Sequence, residues 1–209
     1  MFLIETFNLV AVFVFAISAS LSAIKRKFDL FGISFVAFVT SVGGGTVRDI
    51  LLGDFPVSWM KNGNFAYSII CGILISFIFT NKLNGFKKTF FWFDTIGIGV
   101  STIIGTYKAI EYGLNFPLCV LFGVMSSIFG GIIRDTLCND VPLVFRKEIY
   151  ATACIMGSVC FQFLNFLHIE IVISMPIAIV ITIMIRFISI KYNLKLPNLN
   201  YKLKGKINV

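Results

Sequence analysis

The sequence predicts an all-α, polytopic membrane protein of seven transmembrane helices, in which helices 1–3 and 4–6 form an inverted repeat and helix 7 is appended. Three observations predict it. Hydrophobic residues make up 57% of the 209 and charged residues only 13%, about half the charged share that coats a soluble domain. Apolar stretches close to the ~20 residues that cross a hydrocarbon core occur seven times. The chain also matches itself when residue 41 is laid on residue 127. A soluble enzyme, a disordered chain and a secreted disulfide scaffold are excluded by the same composition.

The first span, about 5–24, is preceded by Glu5 and followed by Lys25-Arg26-Lys27. That flank pattern is the reverse of a cleavable signal and keeps the positive end in the cytoplasm. Span 2, about 30–52, carries Gly43-Gly44-Gly45 close to its middle and Arg48-Asp49 towards its far end, and span 3, about 65–81, carries no charged residue. Span 4, about 89–112, holds Asp94 early and Lys108 late; span 5, about 116–137, carries FGGIIRD. Spans 6 and 7, about 149–167 and 171–190, carry no charged residue except Arg186 near the end of the last. These spans form a single transmembrane domain over 1–190, with repeat A at about 1–82, repeat B at about 88–167 and helix 7 at about 171–190. A basic cytoplasmic tail follows at 191–209.

Loop charges orient the bundle. Lys25, Arg26, Lys27, Lys82, Lys87, Lys88, Arg146, Lys147, Lys191, Lys195, Lys202, Lys204 and Lys206 fall on one side, and Lys61 alone on the other. An asymmetry of thirteen to one places the N-terminus outside and the C-terminus in the cytoplasm of a bacterial inner membrane. It also accounts for the net charge of +8 without a nucleic-acid partner. The five cysteines form no CxxC pair and His168 is the single histidine, so no zinc or haem site and no bound cofactor is expected.

The repeat is dense. Ser41, Gly44, Gly45, Arg48, Asp49, Leu51, Asp54 and Pro56 fall on Ser127, Gly130, Gly131, Arg134, Asp135, Leu137, Asp140 and Pro142. Three spans per copy is odd, so the second copy enters the membrane from the opposite side, and such folds put their path near the midplane between glycine-interrupted helices. Gly43, Gly44 and Gly45 in span 2, and Gly130 and Gly131 in span 5, mark those helices. A bend there frees carbonyls, and those of Gly43, Gly44 and Gly130 in a wet cavity would coordinate a monovalent cation. Thr46, Ser126 and Ser127 beside them are candidate wall hydroxyls. Close helix packing through small residues is the plain alternative for the same glycines.

Ionisable groups inside spans are costly and mark function. At ~1.5 Å per residue, Arg48, Asp49 and Lys108 share the outer level, and Asp94, Arg134 and Asp135 share the inner one. Adjacent Arg-Asp residues point about 100° apart on a helix, so partners from other helices are expected: Asp94 with Arg134, and Lys108 with Asp49. Arg186 is expected to snorkel to the inner interface as an anchor. No Ser/His/Asp, Cys/His or HExxH arrangement is present, so no enzymatic activity is expected.

GGGTVRDILLGDFP and FGGIIRDTLCNDVPLVFRKEIYA, with FDLFG at 28–32 and DTIGIGVSTIIGTYKAI at 94–110, resemble the bacterial branch of the trimeric intracellular cation (TRIC) channel family. The resemblance covers spans 1–6. It implies a homotrimer with one hydrated pore in each protomer, lined by glycine-kinked helices 2 and 5 and passing K+ and, less selectively, Na+. It makes Gly43, Gly44, Gly45, Gly130 and Gly131 kink positions, and Arg134 and by symmetry Arg48 gating residues. One departure stands out: the counterpart of Asp94 in span 1 is Asn8. The residues also leave open a secondary transporter of a small zwitterion such as glycine, since inverted repeats and broken helices serve that class too.

Overall fold

A computed structural model describes residues 2–80, 86–146, 149–192 and 194. Lys82, Lys147 and the basic tail from 195 onward lie outside the described residues. The described chain is all-helical. Its elements are α1 (Phe2–Lys25), α2 (Leu30–Leu52), α3 (Ser58–Lys61), α4 (Asn64–Thr80), α5 (Phe86–Glu111), α6 (Phe116–Leu137), α7 (Ala151–Phe166) and α8 (Ile171–Lys191), with a 3-10 turn at Leu143–Phe145. All but α3 coincide with an expected span to within a few residues. By length and composition α1, α2, α6 and α8 are able to cross a membrane, while α4 and α7 are apolar but shorter. Phe31, Leu74, Ile78, Phe163 and Phe166 are exposed on the outside of the bundle, which only an apolar solvent rewards.

Local chemistry sets the helix ends. The Asp29 side chain caps α2 by accepting from Gly32 N at 2.7 Å, and Asn115 caps α6 by accepting from Leu118 N at 3.2 Å. Gly53 (φ 71°) and Asn139 (φ 53°) take left-handed conformations just past the ends of α2 and α6, where Gly and Asn are favoured. Both caps and both left-handed residues recur at the offset that relates residue 41 to residue 127.

Small residues let the helices approach. α1 buries Ala11, Ala16, Ala19 and Ala23 and packs against α2, α4 and α5, while α5 packs on α6, and α7 and α8 close on α5. α2 crosses α6 at two glycines. A Cβ on Gly44 would overlap the carbonyl oxygen of Ser126, and one on Gly130 would stand 2.5 Å from the carbonyl oxygen of Thr40. Only glycine fits either place. Both helices run unbroken through Gly43–Gly45 and Gly130–Gly131, so the interruption expected there is replaced by a close crossing. An uninterrupted helix avoids the cost of orphaned carbonyls in an apolar surrounding, and a close approach of backbones favours their packing.

Candidate functional site

At one end of the bundle the chain turns at Gly53 and folds back onto the end of α2. Asp54 N donates to Asp49 O at 2.9 Å, and the return brings Ser58 N to Asp49 Oδ2 at 2.7 Å. Arg48 Nε donates to Asp49 Oδ1 at 2.8 Å. From α5, Lys108 Nζ reaches Asp49 Oδ1 at 3.0 Å, Asp54 Oδ2 at 2.8 Å and Ser58 Oγ at 2.8 Å. Lys61 pairs with Asp54 from the other side. Hydrogen bonds from Lys108 and then Lys61 pull the Asp54 carboxyl down to about 2. That stabilisation is fully present above the ordinary carboxylate range and is lost as pH falls through it towards 2.

The other end repeats this plan with different partners. Asp140 N donates to Asp135 O at 2.8 Å, and Leu143 N donates to Asp135 Oδ2 at 2.9 Å. Arg134 Nε donates to Asp135 Oδ1 at 2.8 Å, and its Nη1 reaches Asp94 Oδ1 at 2.6 Å and Ser18 Oγ at 3.0 Å. The guanidinium lies over the Phe90 ring, 4.6 Å from its centroid, and is 0% exposed. Arg26, at the end of α1, pairs with Asp140.

Both expected cross-helix pairs, Asp94–Arg134 and Lys108–Asp49, are therefore present. Two expectations change. Adjacent Arg-Asp residues do meet, because the arginine side chain is long enough to curl round the helix onto a carboxylate held by the returning loop. Arg186 does not snorkel: it is 0% exposed, with Nη2 3.7 Å from Asp94 Oδ2 and its guanidinium 4.5 Å from the Tyr150 centroid.

The hydroxyls separate as well. Ser126 sits at the α2–α6 crossing, whereas Ser127 donates to Val124 O at 2.8 Å and lies 3.3 Å from Cys154 Sγ, facing α7. Thr46 donates to Val42 O at 2.8 Å and accepts from Trp59 Nε1 at 3.1 Å, so it steadies α3. The hydroxyls of Thr40, Ser41 and Ser126 are buried without a hydrogen-bond partner among the described residues. Ser18, Ser58 and Tyr150 were not singled out by the sequence, whereas Ser41 stood in the repeat as the counterpart of Ser127. Tyr150 carried a signal too, since Tyr67 falls on it once three residues are dropped from the loop between; Ser18 and Ser58 carried none.

Cavities approach the crossing from both ends. One of about 620 Å³ is lined by Glu5, Asn8, Asp54, Ser58, Lys61 and Lys108. It shares Asn8 and Ser58 with a deeper recess that reaches Ser41, Gly45, Ser101 and Ser126. At the opposite end a cavity of about 280 Å³ is lined by Ser22, Phe90, Asp135, Asp140 and Arg146. Arg134, Ser18 and Asp94 stand between, about two helical turns beyond Ser126 along α6 and one turn before Ser22 along α1.

A family model described as "Glycine transporter" matches residues 5–81 and 91–165. The inner membrane protein YadS of Escherichia coli K12, a UPF0126 protein, is 33% identical over 200 residues, covering 93% of this chain and 95% of its own. The crystal structure of the TRIC channel orthologue of Rhodobacter sphaeroides superposes with a TM-score of 0.87 at 25% identity, over 93% of this chain and 100% of that one. A prokaryotic TRIC channel solved in 0.5 M KCl superposes with a TM-score of 0.84 at 32% identity, over 94% of this chain and 100% of that one.

Proposed function

The chain belongs to the bacterial branch of the TRIC channel family, and on that premise we propose that it is a potassium channel of the bacterial inner membrane. In this reading it is a homotrimer with a separate hydrated pore in each protomer, passing K+ and less selectively Na+, and neither an enzyme nor dependent on a bound cofactor. One observation carries it. Two charge clusters at opposite ends flank a crossing of α2 and α6 at which the hydroxyls of Thr40, Ser41 and Ser126 are buried with no hydrogen-bond partner among the described residues. Hydroxyl and carbonyl oxygens are what replaces the hydration shell of an alkali cation. Gly43, Gly44, Gly45, Gly130 and Gly131 form the constriction, and their carbonyls line it once the crossing loosens.

The architecture is read as seven transmembrane helices, with α3 a re-entrant turn at the outer surface. α1, α2 and α4 form one unit and α5, α6 and α7 its inverted copy. Support comes from the caps and left-handed residues that recur at one offset, and from the two separate family matches. N-out, C-in topology follows from the loop charges. Tagging both termini and probing intact cells is expected to find the N-terminus alone accessible; an accessible C-terminus with a protected N-terminus reverses the assignment.

The description of the family model favours a second reading, a glycine transporter. Purified protein in proteoliposomes separates the two. Rapid K+ flux without accumulation of labelled glycine is expected. Saturable glycine uptake without K+ conductance would overturn the channel reading.

A further inference from the structure

α8 lies outside the two three-helix units, yet its Arg186 is fully buried against the Asp94 cluster. Asp94 Oδ1 accepts from Arg134 Nη1 at 2.6 Å, while Oδ2 faces Arg186 Nη2 at 3.7 Å. One carboxylate therefore presents its two oxygens to two arginines from two helices. Arg186 is held in that plane: its guanidinium lies 4.5 Å from the Tyr150 centroid and 5.2 Å from that of Phe91, and Nη1 reaches Ile149 O at 3.4 Å. An anchor at a helix end would turn its charge towards the aqueous edge. This one turns inward, where desolvation is costly unless the charge is matched.

We infer that Arg186 sets the charge of the permeation gate. Arg134, Arg186, Asp94 and Asp135 act as one unit whose net charge is zero as built, and that net charge fixes the barrier a cation meets. α8 is thereby part of the gate. This rests on the channel reading above. It follows that the effect of losing Asp94 is reversed by losing Arg186, since the two changes together restore neutrality.

Single-channel recording in planar bilayers with symmetric KCl tests this, because conductance and open probability are read per assembled channel. Asp94→Asn leaves the unit at +1 and is expected to lower K+ current on the order of tenfold, the effect of one charge about 10 Å away at an effective dielectric of about 20. Arg186→Gln leaves it at −1 and raises current by a similar factor, whereas Arg186→Lys stays near wild type. Combining Asp94→Asn with Arg186→Gln returns current towards wild type. A double variant no better than Asp94→Asn alone makes Arg186 a packing residue and overturns the inference. If Arg186→Gln does not assemble, the comparison of Asp94→Asn with the neutral double variant still decides. A wild-type protein that passes no current overturns the channel reading itself, and the gate with it; a conducting wild type with no rescue removes only the role of Arg186.

Discussion

Replacing Gly44 by alanine is expected to cost about 3 kcal/mol of stability or more, the upper end for an overpacked core, and to leave little assembled protein. The same change at Gly45, one residue away, is expected to be tolerated. The difference lies in what a new methyl meets. At Gly44 it would overlap a backbone carbonyl, that of Ser126, and backbone cannot rotate aside as a side chain does. At Gly45 the nearest atom is Arg48 Nη2 at 3.6 Å, an ordinary contact, and alanine favours the helix by about 1 kcal/mol. Gly130→Ala should behave like Gly44→Ala, since Thr40 O occupies the mirrored place. Thermal unfolding of the detergent-solubilised protein, with size-exclusion profiles, reads the result. Equal midpoints for the Gly44 and Gly45 variants would mean that the crossing is not where the two helices are held together.

That contrast marks how far the sequence reaches. Composition and span length place seven of the eight described helices to within a few residues, because burying backbone in lipid admits few alternatives. Depth was legible too: helix rise alone placed Asp94 beside Arg134 and Lys108 beside Asp49, and both pairs form. What depth does not contain is azimuth. Arg186 has the depth of an anchor, but α8 turns that face inward onto Tyr150, and nothing in an apolar run says which side meets the bundle. Ser126 and Ser127 share a level and differ only in direction, one at the crossing and one towards Cys154. The glycines were legible as a symmetric pair, but whether they loosen a helix or admit a neighbour depends on the distance to that neighbour. α3 was missed because four residues carry no periodicity; the carboxylate of Asp49 draws Ser58 back and the turn forms around it.

Arg134→Ala is expected to raise K+ flux, and Asp94→Asn to lower it. A cation path tolerates a guanidinium on its wall only while the charge is neutralised, because an unmatched one repels the permeant ion. At about 4 Å and an effective dielectric of about 20, one charge pair is worth roughly 4 kcal/mol, enough to decide whether K+ occupies the site. Arg134 is held by Asp94, Asp135 and Ser18 together. Its loss leaves Asp94 facing Arg186 rather than bare, so the variant is expected to assemble and the site becomes more attractive to a cation. Asp94→Asn removes the one carboxylate that both arginines face. Breaking a buried pair costs about 3–5 kcal/mol when one charge is left behind, and Arg134 relieves that cost by swinging into the cavity lined by Phe90 and Ser22, where it forms the barrier. Flux in proteoliposomes, normalised to the amount of assembled protein, tests the pair of signs. If both variants move flux in the same direction, or neither moves it, the Asp94–Arg134 pair only ties α5 to α6 and the barrier lies at the glycine crossing.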